Sequence, residues 1–241
     1  DYGGDVVVTV SGDITVHGEG ALPVIAQSEG AAGRRNIDIN YAGGTITGGS
    51  ASAVSLREGI DNTFTNYGVI TTTAGISGTA VSATSGNDTI HNHGTIIGSI
   101  DLEEGVNALR NHPEGIFESG SILHLGSGNT FTNEGTFSPG GSGAPVTTIL
   151  GSNLAQSASG IFLAEVCRNG ESDKLLLTDG SASLDGTLQV GKEKGLYYDG
   201  TTYSVIETQG GEEISGSFSS LVVPARKPLL GFDVNQRDHS V

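Results

Sequence analysis

Four segments of the chain repeat one pattern, and that repetition constrains the fold more than any other feature. GIDNTFTNYGVI (59–70), GNDTIHNHGTI (86–96), GVNALRNHPEGIF (105–117) and GSGNTFTNEGTF (126–137) share a Gly, a polar turn, an apolar residue, one spacer and an Asn. After the Asn comes a Gly and then Ile or Phe. The apolar anchors Phe64, Ile90, Leu109 and Phe131 stand 26, 19 and 22 residues apart, and Asn66, Asn92, Asn111 and Asn133 keep the same intervals. A period of about 22 residues is one supersecondary unit of two or three short strands, too small to bury its own apolar face. Coaxial stacking does bury it. Each strand then pairs in parallel with its equivalent one coil on, and like residues stack at roughly 4.8 Å. The expected fold is all-β, a right-handed parallel β-helix.

Local signals agree. Gly, 39 of 241 residues, interrupts almost every helical window, while runs such as VVVTV, IDIN, GTII and GTLQV are bounded by Gly, Asn and Ser. The repeat extends upstream more loosely, with SASAVSLREG (50–59) standing to the first unit as SGTAVSATSG (77–86) stands to the second. Residues 1–140 are thus read as about six coils, a rod roughly 30 Å long at about 4.8 Å per coil. After FSPGGSGAP the strands lengthen and Leu and Tyr become more frequent. Residues 141–241 are read as broader coils or hairpins that cap the open end, since a bare terminal coil is a strand edge that invites aggregation.

The charge of −16 repels phosphate backbones and anionic head groups, which argues against nucleic acid and direct membrane insertion as partners. Cys167 is the single cysteine, so there is no intrachain disulfide and no four-cysteine zinc site, and it is read as a small buried hydrophobe. The start, DYGGDVVVTV, lacks the regions of a signal peptide. The composition, rich in Gly, Ser, Thr, Asn and Asp and free of Met and Trp, nevertheless suits an exported chain whose leader lies outside this sequence.

A resemblance enters in the last third. DKLLLTDGSASLDGTLQV followed by YYDGTTYSVIETQGGEEISGSFSSL resembles the C-terminal end of bacterial autotransporter (type V secretion) passenger domains, the part that folds first and promotes folding of the rest. The matching positions are Asp173, Leu175, Gly180, Ala182, Leu184, Gly186, Leu188, Val190, Tyr203, Val205, Gly210, Gly211, Ile214, Ser215, Gly216 and Phe218. GNTFTNEGTFSPGG (128–141) is similar to the junction of rod and cap in such proteins, the Asn repeats suit passengers of the α-proteobacterial kind, and ALPVIAQSEGAAG (21–33) resembles their glycine loops. The resemblance implies an autochaperone-like cap, export through the outer membrane, and a translocator barrel for which PARKPLLGFDVNQRDHSV (224–241) would be the lead-in. Scarce cysteine fits a chain that crosses the outer membrane unfolded.

Chemistry-bearing residues are sparse. GGSGAP (140–145) is similar to the surroundings of a chymotrypsin-like serine, but Gly141 replaces the Asp, so Ser142 is read as a turn residue. His91 and His93 flank Asn92 on the face opposite it, and stacking brings His112 near them. Solvated positions are preferred there over a metal cluster, and Asp88 is read as a turn carboxylate without a partner. Asp and Asn in GNDT and GIDNT miss the calcium nonapeptide and are read as structural ladders. No catalytic residue, metal site or cofactor is assigned. Binding is expected from irregular loops: Arg34 and Arg35 in a Gly/Ala loop, and Tyr197 and Tyr198 in KEKGLYYDG, with cap packing as the competing role for the tyrosines. The resulting expectation is a non-enzymatic, secreted or surface-displayed passenger that binds a host cell-surface protein or a matrix component as an adhesin or receptor ligand. The alternatives are a polysaccharide-acting β-helix enzyme and a purely structural stalk for an N-terminal head.

Overall fold

The computed structural model describes residues 4–18, 20–29, 35–192, 194–209, 212–223, 233–237 and 239–241. The chain is all-β, and every pairing between its named strands is parallel, from Val6–Val10 beside Ile37–Tyr41 to Thr187–Lys192 beside Ser220–Val222. It is a parallel β-helix whose coils turn through three faces.

The first face is a sheet of nine strands: Val6–Val10, Ile37–Tyr41, Asp61–Asn66, Asn87–Asn92, Ala108–Asn111, Thr130–Asn133, Asn153–Gln156, Ala182–Leu184 and Ile214–Gly216. A short turn leads from each to the second face, which runs from Ile14–Thr15 through Thr95–Asp101 and Ile116–His124 to Ser220–Val222. The third face holds Val24–Ser28, Val54–Glu58 and Thr79–Ala83 at one end and Thr147–Leu150, Lys174–Leu177 and Ile206–Thr208 at the other. Between them the long strands Thr95–Asp101 and Ile116–His124 bend across the corner and supply both faces, with a register shift between Gly98 and Ile100. Gly98 permits the bend because its φ is +125°, and a Cβ there would stand 2.6 Å from the Gly78 carbonyl oxygen.

Alternation sends every second side chain inward, and parallel register stacks like on like. On the first face the row is Val8, Ile39, Phe64, Ile90, Leu109, Phe131, Leu154, Ala182 and Ile214, each paired with the next. The four anchors of the sequence repeat are its middle, and all are essentially without exposure. The second face contributes Ile70, Ile96, Phe117, Phe137, Phe162 and Leu188 in the same way. Burying one such side chain contributes about 1.5–3 kcal/mol, so the rows form a core without a disulfide.

Residues 146–222 join the same ladders rather than forming separate hairpins. Thr147–Leu150 pairs with Ile116–His124, Asn153–Gln156 with Thr130–Asn133, and Ile161–Val166 with Thr136–Pro139. Phe117, Phe131, Phe137 and Phe162 form a ring cluster across this junction, with centroids 4.9–5.8 Å apart and three of the four pairs edge to face. Asp173 anchors it: one carboxylate oxygen accepts the Val146 amide at 3.0 Å and the other the Glu165 amide at 2.9 Å. Burial nevertheless pushes its pKa up to about 6. Residues 224–232, Gly210 and Gly211 lie outside the described residues.

Two polar ladders run inside the first face. At the turn, Asn66 donates from Nδ2 to Asn92 Oδ1 at 2.8 Å, Asn92 to Asn111 at 2.7 Å, Asn111 to Asn133 at 2.8 Å, and Asn133 to Gln156 Oε1 at 2.8 Å. The amides also serve the turns: Asn66 Oδ1 accepts the Gly68 N–H at 3.0 Å and Asn111 Nδ2 donates to the Gly115 carbonyl at 3.2 Å, while Asn92 and Asn133 donate to the Ile116 and Ile161 carbonyls of the next coil. Gly follows because a Cβ at Gly94 would stand 2.2 Å from the Gly68 carbonyl oxygen. At the opposite end of these strands Asn62, Asp88, Asn107 and Asn129 form the second ladder.

Candidate functional site

The Asn ladder fixes what lies outside it. The residue after each ladder Asn occupies the tip of the turn, so Tyr67, His93, His112 and Glu134 are brought over one another coil by coil. The residue before each Asn points outward from the sheet, which sets Thr65, His91, Arg110 and Thr132 in a second column with cross-strand register. His91, His93 and His112, singled out in the sequence, meet where the two columns run side by side.

The rings form a ledge. Tyr67 stacks on His93 with centroids 4.7 Å apart, and His93 stacks on His112 at 3.8 Å with an angle of 10° between the planes. His91 Nδ1 lies 3.0 Å from His112 Nε2. Glu114, which the longer turn of that coil adds through Pro113 and Glu114, approaches His93 Nδ1 at 2.7 Å. Arg110 grips Glu134 with two hydrogen bonds, Nε to Oε2 at 3.0 Å and Nη2 to Oε1 at 2.6 Å. Glu134 Oε2 is in turn 3.8 Å from His112 Nδ1.

The electrostatics follow from this crowding. Burial, with the charges of His93 and Arg110 beside them, holds the His91 and His112 imidazoles below the usual histidine range. The Arg110 hydrogen bonds hold the Glu134 carboxyl below its ordinary value. The ledge therefore presents stacked rings beside a compact ion pair, with the His91 and His112 imidazoles held toward their neutral form and Tyr67 half exposed at the edge at 52%. Such a surface can stack on planar or apolar groups and offer imidazole nitrogens to a hydrogen-bond donor or a cation.

Tyr67, Arg110, Glu114 and Glu134 are the members that sequence reasoning passed over. Their signal was present: Tyr67 and Glu134 occupy the variable place of the repeated Asn-x-Gly turn, the place that stacking must align.

The loop candidates are not brought together. Arg34 lies outside the described residues, and Arg35 is exposed at the corner before Ile37–Tyr41, its amide donating to Ser28 Oγ at 2.8 Å. Tyr197 and Tyr198 sit at the far end of the rod. Tyr197 packs against the core and donates its hydroxyl to the Val166 carbonyl at 2.8 Å, whereas Tyr198 is 77% exposed. Tyr197 thus has the packing contacts of a cap residue.

Asp88 departs from its sequence reading. It is not a turn carboxylate without a partner: it lies in a strand, is 1% exposed and accepts a hydrogen bond from Asn62 Nδ2 at 2.8 Å, while its amide donates to Asn107 Oδ1. Alternation of the strand Asn87–Asn92 directs it inward with Ile90 and Asn92. Ser142 is exposed in the turn after Thr136–Pro139, and Cys167 is buried. No helix among the described residues is long and apolar enough to cross a membrane. Comparison with protein-family models, with curated proteins and with solved structures finds no match to this chain.

Proposed function

We propose that this chain is a non-enzymatic binding module, the β-helical part of an exported autotransporter-type passenger, and that it engages a host cell-surface protein or matrix component. The observation that carries the reading is the ledge of Tyr67, His93 and His112. A solenoid whose interior is filled by stacked apolar and amide rows recognises partners with its outward columns, and this column concentrates the rings of Tyr67, His93 and His112 beside a column of Thr65, His91, Arg110 and Thr132. The likeness of residues 173–218 to passenger C-termini supports export to the cell surface or beyond, and the continuous ladder supports a rigid display scaffold.

The test is binding of the labelled chain to immobilised host membrane proteins, matrix proteins and glycans, run in parallel with a reducing-end assay on acidic and neutral polysaccharides. Saturable binding to a protein or matrix component with no release of reducing ends is the expected result. Cleavage of a polysaccharide would replace this reading with that of an enzyme, and absence of any saturable binding would leave the chain a stalk.

A further inference from the structure

We propose that His91 and His112 form a two-nitrogen chelate for a first-row divalent metal ion, copper(II) or nickel(II) suiting it best. His91 Nδ1, on the strand Asn87–Asn92, and His112 Nε2, at the turn position directly after the strand Ala108–Asn111, are 3.0 Å apart, brought together by the register that sets His91 beside Arg110 and Asn92 beside Asn111. Two metal–nitrogen bonds of about 2.0–2.1 Å meeting at a right angle place the nitrogens about 2.9 Å apart, whereas a tetrahedral angle places them at about 3.4 Å. The observed 3.0 Å, a hydrogen-bond distance in the metal-free chain, is close enough to both values for the two rings to close on one cation, and among first-row divalent ions copper(II) has the highest intrinsic affinity for such nitrogen sites.

The surroundings support a metal-facing tautomer. His112 turns its other nitrogen, Nδ1, toward Glu134 Oε2 at 3.8 Å, and Arg110 holds that carboxylate from behind. A carboxylate beside Nδ1 favours the proton there and leaves the Nε2 lone pair free, the arrangement that orients imidazole ligands in metal sites. In the metal-free chain the same two nitrogens share one hydrogen bond, which a cation replaces once both rings carry their protons on the far nitrogens. Among the described residues no group of three or more His, Cys, Asp or Glu side chains is placed to hold a metal. The protein thus supplies two ligands, and water or a group of a bound partner completes the coordination.

The experiment is titration of the whole chain with copper(II) chloride at pH 7.5, followed by calorimetry and electron paramagnetic resonance. One equivalent bound, with hyperfine coupling to two imidazole nitrogens, is expected. His91→Ala and His112→Ala should each weaken binding at least tenfold and remove the two-nitrogen signature. Glu134→Gln should weaken it by about tenfold while keeping that signature. His124→Ala, which removes an imidazole bonded to Asp101 elsewhere, should change nothing. Absence of stoichiometric binding by the unmodified chain, or binding indifferent to both His91→Ala and His112→Ala with circular dichroism unchanged, overturns the proposal. Because the readout is copper coordination, its failure leaves the partner-binding reading untouched.

Discussion

A carboxylate stands at position 88 where neighbouring coils hold amides. Asn62, Asn107 and Asn129 can each donate and accept, but an ionised Asp88 only accepts. One of its oxygens takes the Asn62 amide, and the other, Oδ2, is buried without a hydrogen-bond partner. Desolvation pushes its pKa up to about 6, against the lowering effect of the Asn62 hydrogen bond. A carboxyl group whose folded pKa exceeds its unfolded value holds its proton more tightly when folded. Its cost to stability is therefore present above about pH 6 and is relieved as pH falls toward the unfolded value. Asp88→Asn should stabilise the protein by about 1–3 kcal/mol at pH 7.5, a gain of a few degrees in melting temperature. That advantage should shrink as pH is lowered through about 6. Melting curves of the two proteins at pH 7.5 and 5 check this, and Asp173, common to both, cancels in the difference. Sequence alone could place Asp88 before the anchor Ile90 but could not show its burial, because Asn87 and Asp88 read equally well as a polar turn.

At the scale of the element, the unit of stability is the row shared between strands. Leu109 lies between Ile90 and Phe131 and is 1% exposed. Replacing it with Asp introduces a charge with neither water nor partner, at a cost of several kcal/mol. Leu109→Asp should unfold the adjoining coils or lower the melting temperature by ten degrees or more in a thermal scan; an unchanged transition would contradict the stacked row.

The coils legible in the sequence are those in which both Asn ladder and apolar row are intact, from Phe64 to Phe131. Upstream, Val10 and Tyr41 occupy the ladder position, and downstream Gln156 takes it, so the signature fades although the strands remain in register. The uneven intervals also have a cause. The coil from Phe64 to Ile90 makes a separate third-face strand, Thr79–Ala83, whereas the coil from Ile90 to Leu109 bends Thr95–Asp101 across the corner and saves residues. The candidate site was half legible: alternation and stacking gathered the three histidines, but the reach of Glu114 depends on a turn two residues longer than its neighbours, and the pairing of Arg110 with Glu134 depends on how two long side chains meet across the coils.

For the whole molecule, continuity governs what the outer surface can do. Both sheets and the phenylalanine cluster pass the break in sequence style after residue 140, so the rod holds its outward columns in fixed register along its length. Fixed register lets four separate turns act as one binding surface without an ordering cost at the moment of contact. The third face offers a contrast, since Ile122 and Ile149 are paired neighbours and about half exposed. The most direct test of the account is therefore binding of labelled protein to host cells by flow cytometry, comparing the unmodified chain with Tyr67→Ala/His93→Ala and with Ile122→Ser. Each variant is first shown to be folded by circular dichroism. The account predicts at least a tenfold loss of apparent affinity for the ledge variant and none for Ile122→Ser. Undiminished binding by Tyr67→Ala/His93→Ala, or loss confined to Ile122→Ser, would contradict it.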